Sequence, residues 1–294
     1  MAVSAADEEP RDLAEGQSEA VTIAFADADA EICGIARVGR GISGGELRTS
    51  GLGILFAGGE TVAVRAGASA DTGELAAAGV QTETVSPLER WGVTFESEDR
   101  RYGFDLELDA QTVAAELAQR SAVAALGGMA GYDQLVSARG SVTLDGADRR
   151  FDGRGSRSRS WGAPDWSRLH SARTIGVWFA DGGGVSATTI RERSMASHGD
   201  EAMHVTLSGP GGSEPVLVAD PRISMTCDSE GQQRAAGLEL YPYDDGEYPE
   251  RIAGEVACGT TLELGSLILQ CAFFKWRSGR RTGVGRFDIV RAAG

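Results

Sequence analysis

The sequence predicts a mainly β protein built of antiparallel strands, and three observations support that prediction. Segments in which apolar and polar residues alternate recur along the chain, for example at 21–26, 93–108 and 141–144. Turn-forming residues, many of them among the 41 glycines, separate such segments. Their spacing of roughly 8 to 12 residues is typical of sandwiches and barrels. No regular helical stretch lies between successive strands, so a parallel α/β sheet is not expected.

One strand-like run, residues 267–276, indicates that the strands form barrels in contact with each other. Both of its faces are apolar: Leu267, Leu269, Cys271 and Phe273 lie on one, and Ile268, Ala272, Phe274 and Trp276 on the other. A strand with one face in water would alternate with polar residues instead. In a barrel, the inner face can line a cavity while the outer face packs on a neighbouring domain. We therefore expect two antiparallel barrels packed side by side.

The boundary between the barrels is predicted within an alanine-rich stretch at 110–132. Helix propensity is high in this stretch, and Gly127 and Gly128 would end a helix there, so a short helix and a linker are expected. The first barrel is assigned to 21–122 and the second to 123–294. Residues 1–20 are acidic and lack the basic start and apolar core of a secretory signal. They are expected to be disordered, and the protein to be cytoplasmic.

A weak internal repeat also suggests two related halves. Residues 53–59 and 176–182 share the order Gly, aliphatic, large apolar, Phe, Ala, any residue, Gly. Glycine-rich hairpins often match by chance, so the repeat is moderate evidence for a duplicated antiparallel unit.

Composition argues against several classes of partner and cofactor. A net charge of -15 disfavours nucleic acid, whose binding rests on clustered cations. No apolar run approaches the roughly 20 residues that span a bilayer. The four cysteines are widely spaced without a Cys-x-x-Cys motif, so free thiols are expected. His198, Glu201 and His204 follow each other at three-residue steps, a poor geometry for metal ligands on a helix or a strand. We expect no metal and no cofactor.

Two glycine-rich strings resemble enzyme motifs but lack the context that those motifs require. Gly39–Gly44 spells the dinucleotide-binding fingerprint, and Gly41–Gly45 fits the nucleophile elbow of serine hydrolases. Both motifs need a strand followed directly by a helix. No room for a helix exists before the next predicted strand at Gly53. The strings are interpreted as a glycine-rich turn.

The segment 155–166 looks most like a functional site. It reads Gly-Ser-Arg-Ser-Arg-Ser-Trp-Gly-Ala-Pro-Asp-Trp and contains two of the five tryptophans. Trp161 and Trp166 can simply plug a barrel end, with the indole N–H bonded to a backbone carbonyl. Alternatively they line an apolar cavity in which Arg157, Arg159 and Asp165 are the few polar groups.

This segment resembles the Gly-x-Arg-Asp-His-Ser-Trp-Gly block of AttH-like and carotenoid-hydratase-like (hydroxyneurosporene synthase-like) proteins, a two-domain lipocalin-related family. Residues 132–155 and 258–286 resemble the second barrel of that family, and the first half of the chain matches more loosely. The resemblance implies two lipocalin-like barrels that enclose an isoprenoid, steroid-like, polyketide or lipid molecule. It also implies hydration or cyclisation of that molecule by proton donation to an alkene, or guidance of a pericyclic ring closure.

The chain departs from the family block at two positions. Ser158 and Arg159 stand where the family has its Asp-His pair, which removes the expected proton donor. Asp165, if burial raises its pKa, or His198 or Glu201 can take that role. Arg159 can instead pair with an anionic head group. The expected ligand-binding residues are Arg157, Arg159, Trp161, Trp166, Trp178, Glu201 and Phe273.

The activity stays open between several alternatives. An enzyme would be a hydratase, and so a lyase, or a terpenoid or polyene cyclase, and so an isomerase. Without catalysis the protein would be a lipid or isoprenoid carrier, or an accessory protein with a filled barrel.

Overall fold

The computed structural model describes residues 3–70, 75–195, 197–242 and 248–293. Strands make up most of this part of the chain, and they form two antiparallel sheets, each barrel-like or half-barrel, with one short α-helix. The predicted fold class is confirmed.

The first sheet has eleven strands in the order β4-β3-β2-β1-β11-β10-β8-β7-β6-β5, with β9 paired to β10. Its strands are β1 (Ser18–Ala26), β2 (Ile32–Ser43), β3 (Glu46–Ala57), β4 (Glu60–Ala70), β5 (Ala76–Ala77), β6 (Val80–Ser86), β7 (Arg90–Glu96), β8 (Gly103–Ala110), β9 (Ala115–Leu117), β10 (Met129–Leu144) and β11 (Ala147–Gly162). A 3-10 turn at Ala5–Glu8 precedes it.

The second sheet has nine strands in the order β15-β14-β13-β12-β20-β19-β18-β17-β16. Its strands are β12 (Leu169–Phe179), β13 (Gly184–Glu192), β14 (Ala202–Ser208), β15 (Val216–Leu217), β16 (Asp220–Cys227), β17 (Gln233–Tyr241), β18 (Glu250–Leu264), β19 (Leu267–Ser278) and β20 (Arg281–Ala292). A second 3-10 turn lies at His198–Asp200.

Both sheets follow one topology, in which the first strand pairs with the last. β1 pairs antiparallel with β11, and β12 pairs in the same way with β20. The two similar segments at 53–59 and 176–182 do not occupy equivalent positions in this scheme, since the first ends β3 and the second ends β12. Their similarity reflects a strand running into a glycine turn, a local feature that recurs in any hairpin.

The sheets divide between Gly162 and Leu169, later in the chain than the barrel boundary predicted at 122/123. β10 and β11 lie in the predicted second barrel but pair within the first sheet. The predicted short helix forms as α1 (Ala122–Gly127), capped by the Ser121 hydroxyl and ended by Gly128 at φ 65°. The residues just before it form β9 instead, because pairing with β10 outweighs their helix propensity.

The acidic N-terminal residues are ordered against the first sheet, in contrast to the disorder expected for 1–20. Residues 18–20 begin β1, and Glu8 is buried with only 7% of its surface exposed. The physical reason is ion pairing, since Glu8 and Glu19 both contact arginines that project from the sheet. Acidic composition alone does not reveal such partners.

Three apolar clusters hold the fold together. One fills the concave side of the first sheet and is called here the first-barrel core, with Phe25, Phe95, Phe104 and Phe151 among its members. The second-barrel core fills the concave side of the second sheet, with Phe179, Phe274, Trp276 and Phe287. The inter-sheet core lies between the sheets, with Ile54, Phe56, Trp178 and Phe273.

Both faces of 267–276 pack against protein, although the inner face was expected to line an apolar cavity. Phe274 and Trp276 of β19 lie in the second-barrel core, while Cys271 and Phe273 on the opposite face lie in the inter-sheet core. Phe273 was expected to line a ligand cavity. It is fully buried and packs edge-on against Phe56 of the first sheet at 5.7 Å between ring centroids.

The glycine-rich strings at 39–45 lie in a hairpin, as the sequence predicts. β2 continues through Ser43, and Gly44 and Gly45 form the turn to β3 at φ 64° and 77°. The four cysteines are free thiols, also as predicted, and three of them are buried.

Candidate active site between the two sheets

Strand β11, which carries most of the segment 155–166, presents alternate residues to two different surfaces. Arg157 and Arg159 lie opposite Ile23 and Val21 of β1, which belong to the first-barrel core. Ser158 between them lies opposite Thr22 and therefore faces the second sheet. Successive residues of the segment thus face the interior of the first barrel and the junction of the sheets in alternation.

Four polar residues form a row across the first sheet at that junction. Arg37, Thr22, Ser158 and Asp133 lie directly opposite one another on the neighbouring strands β2, β1, β11 and β10. Residues directly opposite each other in a sheet point to the same face. Arg37 donates a hydrogen bond from Nη1 to the Thr22 hydroxyl at 2.7 Å.

The second sheet presents polar residues of β20 and β13 to this row. Arg286 of β20 lies opposite Gly176 of β12, which lies opposite Ser186 of β13. Asp288 lies two residues further along β20, on the same face as Arg286. The Ser186 hydroxyl donates to Asp133 Oδ1 of the first sheet at 2.8 Å.

We call this region the inter-sheet crevice and define it by Arg37, Asp133, Ser158, Ser186, Arg286 and Asp288. Arg286 and Asp288 are buried, whereas Asp133, Ser158 and Ser186 are partly exposed and Arg37 is exposed. Desolvation nonetheless lowers the pKa of Arg37 to about 10, with the like charge of Arg286 contributing. Arg37 stands at the end of the polar row and is open to solvent.

Two carboxyl groups in the crevice have raised pKa values. Burial raises the pKa of Asp288 to about 6, opposed by the guanidinium of Arg286, whose Nη1 lies 3.3 Å from Asp288 Oδ2. Burial also raises the pKa of Asp133, opposed by Arg286 and by the hydrogen bond from Ser186. A carboxyl group that keeps its proton near neutral pH can act as a general acid.

Unpaired polar atoms accompany these carboxyl groups. Asp288 Oδ1 and Arg286 Nε are both buried without a hydrogen-bond partner among the described residues. Buried polar atoms are usually satisfied, and exceptions in a desolvated site call for an explanation such as a bound water or ligand. Together with the shifted pKa values they make the crevice the strongest candidate for a functional site.

An apolar wall lies beside the crevice. Leu135 follows Asp133 on the same face of β10, and Leu135 and Trp178 line a cavity of about 300 Å³ at the edge between the sheets. The Trp178 indole lies over Gly176, where an added Cβ would come within 2.9 Å of Nε1. Trp178 Nε1 is buried without a hydrogen-bond partner among the described residues. Of the predicted ligand-binding aromatics, Trp178 and Phe273 lie on this inter-sheet face, and Phe273 lies directly opposite Arg286 on β19.

Arg157 and Arg159, also predicted to bind ligand, lie at the end of the first barrel. Arg157 donates to both carboxylate oxygens of Glu8, at 2.9 Å to Oε1 and 2.5 Å to Oε2. Arg159 donates to Glu19 Oε2 at 2.9 Å. This cluster is separate from the inter-sheet crevice, because the arginines point to the opposite side of β11.

Asp165 does not meet the condition set for the predicted acid. It is exposed in the turn between β11 and β12, and hydrogen bonds from Ser167 hold the pKa of its carboxyl below the usual range. To act as a general acid, Asp165 would need burial that raises the pKa of its carboxyl. The turn instead stabilises the ionised carboxylate.

The two tryptophans of the segment are half-buried at separate places. Trp161 lies beneath the guanidinium of Arg11, at 3.6 Å from its ring centroid. Trp166 packs on a small cluster that includes Leu169 and Ile190. The described contacts of both are with other side chains of the same chain.

The remaining predicted proton donors lie away from the crevice. Glu201 is buried and ion-paired with Arg173 of β12 at 3.2 Å. That arginine points to the concave side of the second sheet, opposite to Arg286. The side chain of His198 lies outside the described part of the structure.

Sequence reasoning missed Arg37, Asp133, Arg286 and Asp288. One signal was present, because β20 places Arg286 and Asp288 at alternate positions within an otherwise apolar run from Val284 to Val290. Charged residues at alternate positions of a buried strand mark a polar patch on one face. Nothing in the sequence shows which residues of the other sheet face that patch.

Among the residues that the structure describes, no group of three or more His, Cys, Asp or Glu residues could hold a metal ion. None of the helices in the described ranges is long and apolar enough to cross a membrane.

The fold and the crevice define a two-sheet antiparallel β protein with acidic groups at the sheet junction. The chain belongs to the family described as domain of unknown function DUF7064, whose model matches residues 4–292. No curated protein matches the sequence.

Several solved structures share the fold at low sequence identity. A candidate AttH from Nitrosomonas europaea has a TM-score of 0.65 at 10% identity, covering 93% of this chain and 91% of its own. Kievitone hydratase from Nectria haematococca has a TM-score of 0.62 at 11% identity, covering 93% and 88%. CghA in complex with Sch210972 has a TM-score of 0.59 at 10% identity, covering 94% and 89%. At this identity the likeness establishes the fold alone.

Proposed function

We propose that this protein is an acid–base enzyme of the hydratase or cyclase kind, acting on an apolar small molecule bound beside the inter-sheet crevice. The observation that carries the proposal is Asp288, a buried carboxyl group with its pKa raised to about 6 and one oxygen left unpaired. Such a group is protonated in a useful fraction of molecules near neutral pH. The name of kievitone hydratase, which shares the fold, is in keeping with this chemistry.

In the proposed reaction Asp288 transfers its proton to one carbon of an activated double bond. The π electron pair forms the new C–H bond, and positive charge develops on the neighbouring carbon. In a hydratase a water molecule adds there and returns a proton to Asp288, so that the catalyst is regenerated. In a cyclase a second double bond of the same molecule supplies the electrons instead, and loss of a proton ends the reaction.

Four side chains support these steps. Trp178 offers an indole face to the developing cation, an interaction worth about 2 kcal/mol in a desolvated site. Asp133 is a second carboxyl in the same crevice and can orient the attacking water by a hydrogen bond while the proton of that water returns to Asp288. Arg286 and Arg37 can hold a carbonyl oxygen that conjugates with the double bond.

The crevice also contains a carboxyl group that can replace the Asp of the resembled family block, which this chain lacks. Ser158 stands where that block has its Asp, and it faces the crevice directly opposite Asp133 on β10. We propose that Asp133 provides a carboxyl group in place of the missing one. The ligand class stays isoprenoid, steroid-like or lipid, in line with the apolar wall of Leu135 and Trp178.

The test compares Asp288→Asn with Asp165→Asn, a matched loss of one carboxyl from an exposed turn. Solvent extraction and mass spectrometry of the purified wild-type protein identify a co-purifying unsaturated molecule. That molecule is then incubated with each protein, and hydration is read as the gain of one water in mass and cyclisation as a loss of absorbance. We expect Asp288→Asn to lower turnover at least a hundredfold while it still binds the molecule. Asp165→Asn should match wild type, and full activity in Asp288→Asn would contradict the proposal.

An accessory protein with filled barrels is the second candidate, and one observation favours it. Phenylalanines and tryptophans fill the concave side of both sheets, so neither barrel encloses a large empty lumen within the described residues. Such a protein would neither retain an extractable apolar molecule nor convert one, in wild type or in either variant.

A further inference from the structure

The end of the first barrel contains two buried arginines in an otherwise apolar interior. Arg157 is 1% exposed and Arg159 is 2% exposed, and their neighbours on β1 are Val21 and Ile23. A buried guanidinium without a negative partner is strongly unfavourable. The site therefore needs anionic groups whenever the barrel is folded.

The principal anionic partner of Arg157 comes from outside the sheet. Glu8 accepts two hydrogen bonds from Arg157 in a fork geometry and a third from the indole Nε1 of Trp91 at 3.2 Å. Arg159 donates to the backbone carbonyls of Glu8 and Glu9. The fork of Arg157, the Trp91 N–H and Arg159 thus form a socket shaped for one carboxylate.

The segment that delivers this carboxylate is anchored at its C-terminal end. The Gly16 N–H donates to the Ile42 carbonyl and the Ile42 N–H to the Gln17 carbonyl, and Glu15 accepts from the N–H groups of Gly44 and Gly45. Before that anchor, residues 3–13 contain one four-residue 3-10 turn and no strand, and Arg11 is held by Glu19, Arg40 and the ring of Trp161. Among the described residues, Arg157 without Glu8 would keep only its hydrogen bond to the Tyr132 hydroxyl, while Arg40 and Arg159 would share the carboxylate of Glu19. Glu8 therefore behaves as an internal ligand that neutralises a positively charged socket.

Space for a small molecule lies beside the socket. Arg157, Arg159 and Trp91 share a cavity of about 100 Å³ with the apolar side chains of Val21, Ile23 and Leu75 and with the polar side chains of Thr82, Glu83 and Thr84. A second cavity of about 580 Å³ lies between the N-terminal segment and the sheet, and its wall combines Pro10, Leu13 and Trp161 with charged residues such as Arg11 and Asp12. A charged socket beside a cavity with apolar side chains suits a small molecule that has a carboxylate head and an apolar tail.

We propose that the mouth of the first barrel is a binding site for a carboxylate-bearing apolar molecule, and that Glu8 occupies its head-group socket when no such ligand is bound. Binding displaces the Glu8 side chain and releases residues 3–13 from the barrel, while residues 15–17 stay bonded to the β2–β3 hairpin. The site is independent of the inter-sheet crevice, since it lies on the opposite side of β11 and uses none of the same side chains.

Hexanoate and hexan-1-ol are the probes for this site, because they share a six-carbon chain and differ in charge. Isothermal titration compares wild type with Glu8→Gln and with Glu60→Gln, the same change at an exposed residue of β4. We expect Glu8→Gln to bind hexanoate at least tenfold more tightly than wild type, since the competing carboxylate is gone. Glu60→Gln should bind as wild type does, and hexan-1-ol should not discriminate among the three. Equal hexanoate affinity in wild type and Glu8→Gln would overturn the proposal.

Hydrogen exchange on the wild-type protein tests the same site without a substitution. This experiment can therefore be done even if Glu8→Gln does not fold. Saturating hexanoate should accelerate amide exchange in residues 4–13, whereas hexan-1-ol at the same concentration should leave it unchanged. Exchange that stays unchanged when hexanoate is bound would contradict displacement of the segment. Asp288→Asn should leave both readouts unaltered, so the outcome is separate from that of the proposed catalysis.

Discussion

Arg157 and Asp288 are both buried ionisable side chains, and the protein accommodates them in opposite ways. Arg157 keeps its charge because Glu8 supplies a fork of hydrogen bonds at 2.9 and 2.5 Å. Asp288 has a single cation at 3.3 Å and an unpaired oxygen, so its neutral form is favoured up to about pH 6. The first arrangement is a stabilising pair, and the second is a reservoir of a transferable proton.

Replacing Arg157 by methionine tests the buried pair. We expect Arg157→Met to lower the free energy of unfolding by about 3 kcal/mol, because it leaves the Glu8 carboxylate buried beside Trp91 without a cation. The control is Arg139→Met, an exposed arginine 3.9 Å from Asp109 and 3.7 Å from Asp152. Exposed pairs contribute little, so its change should stay within about 0.5 kcal/mol. If Arg157→Met and Arg139→Met lowered the free energy of unfolding equally in urea denaturation, Arg157 would not stabilise the buried Glu8 carboxylate.

For single residues, the sequence shows which side chains are charged but not which side chains they contact. The alternation of Arg157, Ser158 and Arg159 indicates two arginines on one strand face. Their partner Glu8 lies 149 residues away in a segment whose composition predicts disorder. Asp165 shows the converse, because a carboxylate beside tryptophans in the sequence lies in an exposed turn of the structure.

The strands of both sheets rely on glycine where an aromatic ring crosses them. Gly53 of β3 is one such position, since an added Cβ would lie 2.2 Å from the ring of Phe95 in the first-barrel core. Gly67 of β4 is open by comparison, with its nearest neighbour 3.8 Å away. Neither glycine has a positive φ, so steric contact is the main difference between them.

Alanine substitution at these two glycines tests the packing of the first barrel. Gly53→Ala should lower the free energy of unfolding by about 2 kcal/mol, since Phe95 must move within a filled core. Gly67→Ala should leave it unchanged or raise it by about 0.5 kcal/mol, because alanine restricts the unfolded chain. Thermal unfolding of both variants supplies the comparison, and a stable Gly53→Ala would mean that the barrel interior is loosely packed.

Element types were more predictable than element partners. The two apolar faces of β19 follow from its sequence, because a strand buried on both sides has no polar alternation. The helix α1 follows from alanine propensity and from Gly128, though it starts later than the alanine-rich stretch suggests. β9 could not be predicted, since its pairing with β10 is a long-range contact that local propensity does not encode.

At the scale of the whole molecule, the two sheets share a packed interface. Phe56 of the first sheet meets Phe273 of the second, and Trp178 lies 6.3 Å from Phe273 between ring centroids. This inter-sheet core adjoins the inter-sheet crevice on the same faces of β12 and β20. The crevice therefore depends on both sheets, which explains why no single segment of the sequence revealed it.

A double-mutant cycle on Phe56→Ala and Phe273→Ala measures the contact between the sheets. Each single substitution should lower the free energy of unfolding by about 3 kcal/mol or more, because it leaves a cavity in a buried cluster. The two effects should be non-additive by about 1 kcal/mol, the energy of one edge-to-face aromatic pair. Strict additivity in urea denaturation would indicate that the sheets do not pack as described.

The division of the chain into two separate barrel domains stays a prediction from the sequence. The division between sheets falls at 163–168, so the segment 155–166 that resembles a second-barrel block ends the first sheet. Fold class could be predicted because alternation and turns are local signals. The site could not, since it combines residues from β2, β10, β11, β13 and β20, and their juxtaposition depends on long-range strand pairing.

The most direct test of the central claim is an NMR titration of the Asp288 carboxyl carbon, assigned by its absence in Asp288→Asn. Burial in the inter-sheet crevice predicts a pKa of about 6, well above the usual value of 3.8. Because the folded chain then binds the proton more tightly than the unfolded one, ionisation of Asp288 should also destabilise the fold as pH rises from about 4 to 6. A midpoint near pH 4 would contradict the account, because Asp288 would be fully ionised at neutral pH and could not donate a proton.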